Sequence, residues 1–529
     1  MNFKEFESSD KLRGGFYTPE KICNFIVKFI TKNKPESILE PSFGDGNFIN
    51  SLLKIKKQIK ITGIEINKKE FLKVKKKKNL NLLNKNFLEW YLDKPQSFDA
   101  IVGNPPFVRY QFLDNSDQKL IEHIFNKFQL KHTMHTNLWV PFVIASIDLL
   151  KPGGSLGMVI PNEILNLPHA KSLRSFVKLK LEKLLILDST KLMFEKTLQG
   201  TSIILARKKK DIQKKSLISI KRYNDFNFLN DCPSKIWNSA KFNNITDENK
   251  WMKFLLSSNE IKTLEKIKRN KFFFKFNDVA SVDVGIVTGA NNFFLYNEKI
   301  KKKYNLEKYS KPIFGRSSHC KGLIYDKQNH NNNKANNLPI NFLKLSKDLK
   351  INKGLKKYLQ LGESQNLHKR YKCRIRNPWF VVPSVYSTKL GLLKRCHFFP
   401  RLILNSYNAY TTDTAYRIKS KSKDEISLSY FFINSVTALS AELEGRSYGG
   451  GVLELTPSEI ERLTIPFVKI NENQLKKLNK ELLVNNNEKK ILKNQDKIIS
   501  ELTGAKLSDL KIINSAYEKL LSRRIRLNG

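Results

Sequence analysis

Acid is what the chain is short of. Its 529 residues carry 49 Asp and Glu against 95 Lys and Arg, a formal net charge of +46. Such an excess of base favours a polyanionic partner, most simply nucleic acid. The competing reading is a Lys- and Asn-rich composition with no partner behind it. A membrane surface is the other polyanion to weigh, but no stretch reads as an anchor. Cysteine is sparse as well. Cys23, Cys232, Cys320, Cys373 and Cys396 are scattered, odd in number and never spaced C-x-x-C. That excludes a disulfide framework and a cysteine zinc site, and fits a reducing, cytoplasmic setting. Long hydrophobic runs are missing too. The longest, Leu138 to Leu150, contains Asp148 and reaches only about half of a membrane span, so a buried helix is expected there. The opening Met1 to Glu7 has no apolar core of a signal peptide. His132 and His135 stand at i, i+3 with no acid or cysteine to join them, so no metal site is expected. Internal repeats are absent. So is a Pro-Asp…Asp/Glu-x-Lys pattern, which argues against a fused nuclease.

What is present is enough apolar residue, 40%, for real cores, in a chain long enough for two or three domains. Thr18-Pro19-Glu20 reads as a helix start, with Thr18 at the cap, Pro19 in the first turn and an acid behind it. Ile22, Phe25, Ile26, Phe29 and Ile30 then make one apolar face. Ser37 to Glu40 is a short strand, Pro41 to Asn47 a turn holding Gly44 and Gly46, and Ile59 to Glu65 a second strand ending in an acid. The turn and Glu65 are roughly twenty residues apart, the separation at which a strand-end acid binds ribose hydroxyls. The third glycine of a dinucleotide fingerprint is missing, which disfavours NAD and points to a nucleoside without pyrophosphate.

Asn86-Phe87 follows a third short strand, and Ser97 to Val102 is a fourth. Gly103 and Pro105-Pro106 stop it abruptly, leaving one amide, Asn104, and one ring, Phe107, at the strand's carboxyl end. Ligands of open α/β sheets bind beyond such ends. Residues 115–150 read as helical. Three strands follow at Ser155 to Ile160, Leu184 to Asp188 and Thr201 to Ala206. Alternating strands and helices predict a doubly wound, mostly parallel sheet. Further on, 329–337 is Asn-rich and expected to be an exposed loop. Arg374, Arg376, Trp379, Lys394, Arg395, Arg401, Tyr407, Tyr410 and Tyr416 interleave bases with aromatics, as a nucleic-acid surface does. The run from Glu444 to Gly451 is a loop needing positive φ or close backbone approach.

Together these motifs resemble the S-adenosylmethionine-dependent DNA N6-adenine methyltransferases of the gamma arrangement, which accompany Type II restriction systems. Gly15 to Pro19 is similar to the family's N-terminal cofactor motif, Ile38 to Phe48 to its Gly-loop motif, Glu65 to its ribose acid and Asn104-Pro105-Pro106-Phe107 to its catalytic motif. Met193-Phe194-Glu195 with Thr197 to Ser202 is similar to the segment whose aromatic helps hold a flipped base. The order of the motifs is the gamma order. Segments 285–291 and 447–451 are similar to pieces of its target-recognition domain.

The resemblance implies an α/β fold: an N-terminal doubly wound Rossmann-like sheet, a C-terminal mixed α+β target-recognition domain and a helical tail. The boundaries expected are 1–210 for the S-adenosylmethionine-binding catalytic domain, 211–265 for a connector, 266–470 for target recognition and 471–529 for a helical segment. It also implies site roles. Thr18, Glu40, Gly44, Asp45, Gly46, Glu65, Asn86, Phe87 and Asn104 would hold the cofactor. Asn104, Pro105 and Phe107 would be catalytic, with Phe107 and Phe194 stacking on the base. Two departures stand out. The family has Asp-Phe where this chain has Asn86-Phe87, so an amide carbonyl would take the cofactor's adenine amino group. Phe107 replaces a commoner Tyr, and stacking needs only the ring. Implied partners are double-stranded DNA and a separate cognate restriction endonuclease, for a monomeric enzyme. Two same-chemistry readings stay open: a protein-glutamine methyltransferase, which also uses Asn-Pro-Pro, and an N4-cytosine enzyme. A DNA-binding module with a degenerate fold would need a broken cofactor site, whereas Gly44, Gly46, Glu65 and Asn104 are all in place.

Overall fold

The computed structural model describes residues 17–55, 59–75, 77–93, 96–134, 136–194, 200–246, 250–421, 424–448, 450–484 and 487–525. The chain divides after Ser257, and a second compact unit spans Ser258–Ile525. Gly15, Glu195 and Thr197, which fall within the motifs above, lie outside the described residues, as do His135 and Gly449.

The first unit is built on nine strands: β1 Ser37–Glu40, β2 Lys60–Ile64, β3 Leu80–Leu83, β4 Phe98–Gly103, β5 Leu150–Pro161, β6 Leu181–Ser189, β7 Thr201–Lys208, β8 Leu217–Tyr223 and β9 Asn243–Asn244. They lie in the order β3-β2-β1-β4-β5-β7-β6-β8-β9. β3 through β5 run parallel, and β7 is antiparallel to both of its neighbours. The chain crosses from one side of β1 to the other between β3 and β4. That is a topological switch point, and a crevice opens there beyond the strand ends.

Hydrophobic spacing explains the packing. In the helix Glu20–Ile30, all five residues of the apolar face are buried, and Val27 with them. This helix lies so close to β5 that a Cβ at Gly157 would come within 2.4 Å of Ile26. The cap differs from expectation. Pro19 is the N-cap, its carbonyl taking the amides of Ile22 and Cys23, so Thr18 is free of that duty. The stretch 115–150 is two helices, Asn115–Lys127 and Trp139–Leu149, because Asp114 caps the first and Phe128 to Leu138 breaks the run. The second is buried on nearly every side. Among the described residues no single helix is long and apolar enough to cross a membrane. β5 starts earlier than expected: Pro152 to Gly154 form a bulge, with the register jumping between Phe98–Leu150 and Ala100–Ser155 and Gly153 at φ +77°.

The span 211–265 is not a connector. Leu217–Tyr223 pairs in register with Lys183 to Ser189, and Trp251 is fully buried. Its alternating, half-polar strand hid this in the sequence.

The second unit holds a five-stranded sheet, Ala280–Asp283, Ala415–Ser420, Leu390–Leu393, Leu402–Asn405 and Ile324–Tyr325, with smaller sheets and helices around it. The helices Glu488–Thr503 and Leu507–Ile525 are anchored into this unit. Asp496 accepts from the Ser435 amide at 3.0 Å, Asn514 donates to the Ser435 hydroxyl at 2.7 Å, and Arg524 forms a buried ion pair with Glu442 at 2.7 Å. The Asn-rich 329–337 is not an exposed loop either. It lies mostly in the helix Lys327–Ala335, capped by Asp326, with His330 against the Tyr325 hydroxyl and Asn333 donating to the His319 carbonyl at 2.8 Å. Local caps and buried amides override its composition.

Burial raises the Asp496 carboxyl to about 6. Its folded pKa lies above the unfolded value, so its contribution to stability is complete below about pH 4 and is lost as pH rises toward 6. Urea unfolding is expected to show Asp496→Asn losing less stability than wild type between pH 4 and 7, by about 2–3 kcal/mol. Parallel curves for the two proteins would contradict this.

Candidate active site

The two strands flanking the switch point end in the two key motifs. β1 ends at Glu40 and runs into Pro41 to Gly46; β4 ends at Gly103 and runs into Asn104 to Phe107. They approach closely: a Cβ at Gly103 would stand 3.3 Å from Pro41, and the Ser42 hydroxyl donates to the Asn104 carbonyl at 3.1 Å. Asn104 is half-buried and Pro105 buried. Phe107 packs against the hydrophobic cluster that holds Met193 and Phe194. Phe194 is itself buried there, at 8% exposure.

The Gly turn needs its glycines. Gly44 sits at φ +52° and Gly46 at φ +81°, a region costly for a side chain. A Cβ at Gly46 would also strike Val74 at 2.6 Å, and one at Gly44 would fill the space beneath the Tyr17 ring at 3.4 Å. Glu65, at the end of β2, fixes this turn. Its carboxylate accepts the Gly44 amide at 2.9 Å and the Asn67 amide at 2.8 Å. Asn47 ties the turn to the N-terminal motif by donating to the Thr18 carbonyl at 3.0 Å and to Asp45 at 2.7 Å. Thr18, Glu40, Gly44, Asp45, Gly46 and Glu65 therefore share one crevice.

Two buried polar atoms in that crevice lack a partner: the Thr18 hydroxyl and Oε2 of Glu40. Unpaired buried polar atoms cost about 1–3 kcal/mol each, and such atoms in a crevice mark a place for a polar ligand. The charge pattern says which kind. Burial, then the neighbouring Asp45 and Glu65 charges, holds the Glu40 carboxyl well above its usual range. Burial likewise lifts Asp45 and Glu65. At Glu40, burial and the charges of Asp45 and Glu65 act together against ionisation, which a cationic ligand relieves.

Other expected residues sit differently. The Asp45 carboxylate is turned onto Asn47. The Phe87 ring is buried against Phe142, 5.0 Å between centroids. The Asn86 carbonyl oxygen is taken as a helix cap by the Leu88 amide at 3.0 Å, and its amide donates to Asp117 at 2.8 Å. Tyr17, Ser42 and Asn47 fall within the cofactor motifs but carried no role of their own in the sequence, and Asp117 was not in them. Ser42 and Asn47 flank the Gly turn and were within reach of a local argument. Asp117 lies on a distant helix and had no sequence signal.

In the second unit, the interleaved bases and aromatics do not form one surface. Tyr416 is buried, Trp379 packs in a core cluster, and Arg395 and Lys394 pair with Glu454. Arg376 is spent on the Val287 and Thr288 carbonyls, bracing the loop that holds Gly289 at φ +80°. Lys369 to Lys372 and Arg374 form an exposed basic cluster, the Arg374 guanidinium lying 5.7 Å from the Tyr371 ring.

A family profile described as Eco57I restriction-modification methylase matches residues 25–193. A second, described as the C-terminal domain of the Type II methyltransferase M.Eco57I, matches residues 248–500. The chain belongs to the Type II restriction-modification methylases. It is 26% identical over 514 residues to the Type II methyltransferase M.AccI of Acinetobacter calcoaceticus, covering 92% of this chain and 93% of that one. It is 31% identical over 216 residues to M.HincII of Haemophilus influenzae, covering 40% and 41%. Among solved structures, the Type IIL restriction-modification enzyme MmeI in complex with DNA superposes with a TM-score of 0.54 at 14% identity, over 95% of this chain and 75% of that one. That likeness extends the shared fold across both units of this methylase.

Proposed function

We propose that this methylase transfers a methyl group from S-adenosylmethionine to the N6 amino group of an adenine flipped out of duplex DNA, within a specific sequence. The observation that carries the reading is the placement of Asn104-Pro105-Pro106-Phe107 beside the Gly turn at the switch point. When bound, the cofactor supplies an electrophilic methyl on a positively charged sulfur. Glu40 and the Thr18 hydroxyl suit its charged methionine end, and Glu65, an acid at a strand end beside the Gly turn, suits the ribose.

The protein's own part is positioning and charge. Adenine N6 is a weak nucleophile because its lone pair is drawn into the ring. The Asn104 side-chain oxygen and the Pro105 carbonyl accept its two hydrogens. They turn the nitrogen toward tetrahedral geometry and stabilise the positive charge that develops on it. Both prolines fix φ, so these acceptors are held before the base arrives. Flipping the base costs a few kcal/mol, which stacking on Phe107 offsets by about 1–3 kcal/mol. Phe194 lines the same cluster and serves as the second wall.

The deciding experiment incubates the protein with methyl-labelled S-adenosylmethionine and, separately, unmodified genomic DNA or a cell protein extract; part of the DNA is digested to nucleosides and part is sequenced for modified bases. Label in N6-methyl-2′-deoxyadenosine, with modified bases at one recurring sequence, is expected. Label in N4-methyl-2′-deoxycytidine overturns the base assignment, and label in protein glutamine with none in DNA overturns the substrate class.

A further inference from the structure

Starting at Ile66, the residue after Glu65, lies a cavity of about 490 Å³, lined by Asn84, Asn86, Trp90 and Asp117 among others. Its size suits one small ligand group. Ile66, the residue after the ribose acid, is 65% exposed, an apolar side chain left bare at the mouth. A nucleoside whose ribose lies on Glu65 has its base on this side, over Ile66. Lys85, Glu89, Asp93 and Asp114 also line this cavity, and within its wall Asn86 and Asp117 are joined to each other. Asn86 has its carbonyl oxygen engaged by the Leu88 amide, and its amide donates to Asp117 at 2.8 Å. Asp117 is in turn fixed from behind. Its own amide is held by the cap residue Asp114 at 2.8 Å, and Gln118 pins the loop before it through the Tyr110 and Leu113 carbonyls. The main chain of Asp117 is thus fixed, and its carboxylate, aimed by the Asn86 amide, is a preset acceptor at the cavity wall.

We propose that Asp117 is the residue that accepts the amino group of the cofactor's adenine, with Asn86 as the positioning residue that aims its carboxylate. This rests on the cofactor reading given above. It assigns the discriminating acceptor to a helix beyond the catalytic strand, and leaves Asn86 to orient it and cap its own helix. Burial raises the Asp117 carboxyl, and the nearby Asp114 and Glu89 charges add to it. A neutral N–H donor relieves that strain without needing a cation. Among the described residues no group of three or more acids, histidines or cysteines is arranged to hold a metal.

The test is calorimetric, on the full chain, with two probes: S-adenosylhomocysteine and its analogue bearing hydrogen in place of the 6-amino group. Wild type is expected to prefer the amino compound by about tenfold to hundredfold, the range of a hydrogen bond to a charged group. Asp117→Ala is expected to erase that preference, weakening the amino compound while leaving the analogue within about twofold. Asp117→Asn keeps the shape and a partner for Asn86, and is expected to retain a preference smaller than wild type's. A preference that survives Asp117→Ala, or an equal loss for both probes, overturns the assignment while leaving the cofactor reading intact. Wild type binding neither probe overturns both.

Discussion

Asn104→Ala is expected to slow methyl transfer by about 10²–10³ or more, with cofactor and DNA affinity close to wild type. The size follows from the loss of one preorganised group aimed at developing charge, about 3–4 kcal/mol. The direction follows from placement. Asn104 stands at the carboxyl end of β4, and its main-chain carbonyl accepts the Ser42 hydroxyl from the β1 side at 3.1 Å. Truncation at Cβ leaves that main-chain contact and the Pro105-Pro106 backbone in place. The cofactor end of the crevice is built from Thr18 before the first helix, Glu40 at the end of β1 and the Gly44–Gly46 turn after it, none of which is altered. Single-turnover rates with DNA already bound, measured alongside calorimetric affinity for S-adenosylhomocysteine, separate the two effects. A rate within about tenfold of wild type would remove Asn104 from the chemistry. A matching loss of cofactor affinity would make it a binding residue instead.

Much of this arrangement was legible because it is local. The helix Glu20–Ile30 shows in its apolar spacing, β1 and β2 in their bounding turns, and the Gly44–Gly46 turn in two glycines that both sit at positive φ. The strand stop at Gly103 shows in the prolines. What escaped reading depended on partners far along the chain. β8 joins the sheet edge through a register with β6 that no periodicity of its own announces. Asp117 reaches Asn86 across 31 residues, and only the folded chain shows that the Asn86 carbonyl oxygen is already engaged as a cap. The Asn-rich stretch 329–337 misled for the opposite reason. Its composition is that of a loop, but a cap at Asp326 and tertiary bonds from His330 and Asn333 hold it in a helix. The aromatic-and-base run from Arg374 to Tyr416 mixed core rings with surface charge. Composition cannot separate the two, because a β-rich core uses the same residues as a stacking surface.

DNA affinity is expected to fall about 10³–10⁵-fold between 50 and 200 mM salt, as it does for proteins making six to ten phosphate contacts. The net charge of +46 makes this the natural outcome, but charge alone leaves open whether it is collected on a surface or spread as composition. The structure narrows that question. Several bases of the second unit are already committed: Arg524 to Glu442, Arg376 to main-chain carbonyls, Lys394 and Arg395 to Glu454. Lys369, Arg370, Lys372 and Arg374 remain exposed within six residues around Tyr371. A cluster of this kind neutralises adjacent phosphates, and each contact contributes about 0.9 to the slope of log affinity against log salt. Replacing Lys369, Lys372 and Arg374 with Gln is therefore expected to lower the slope by as much as about 2–3, weakening specific and non-specific DNA alike. Fluorescence anisotropy titrations at four salt concentrations measure it. A flat salt dependence in the wild type would mean that the excess of base is compositional. An unchanged slope in the triple variant would place the phosphate contacts elsewhere on the chain.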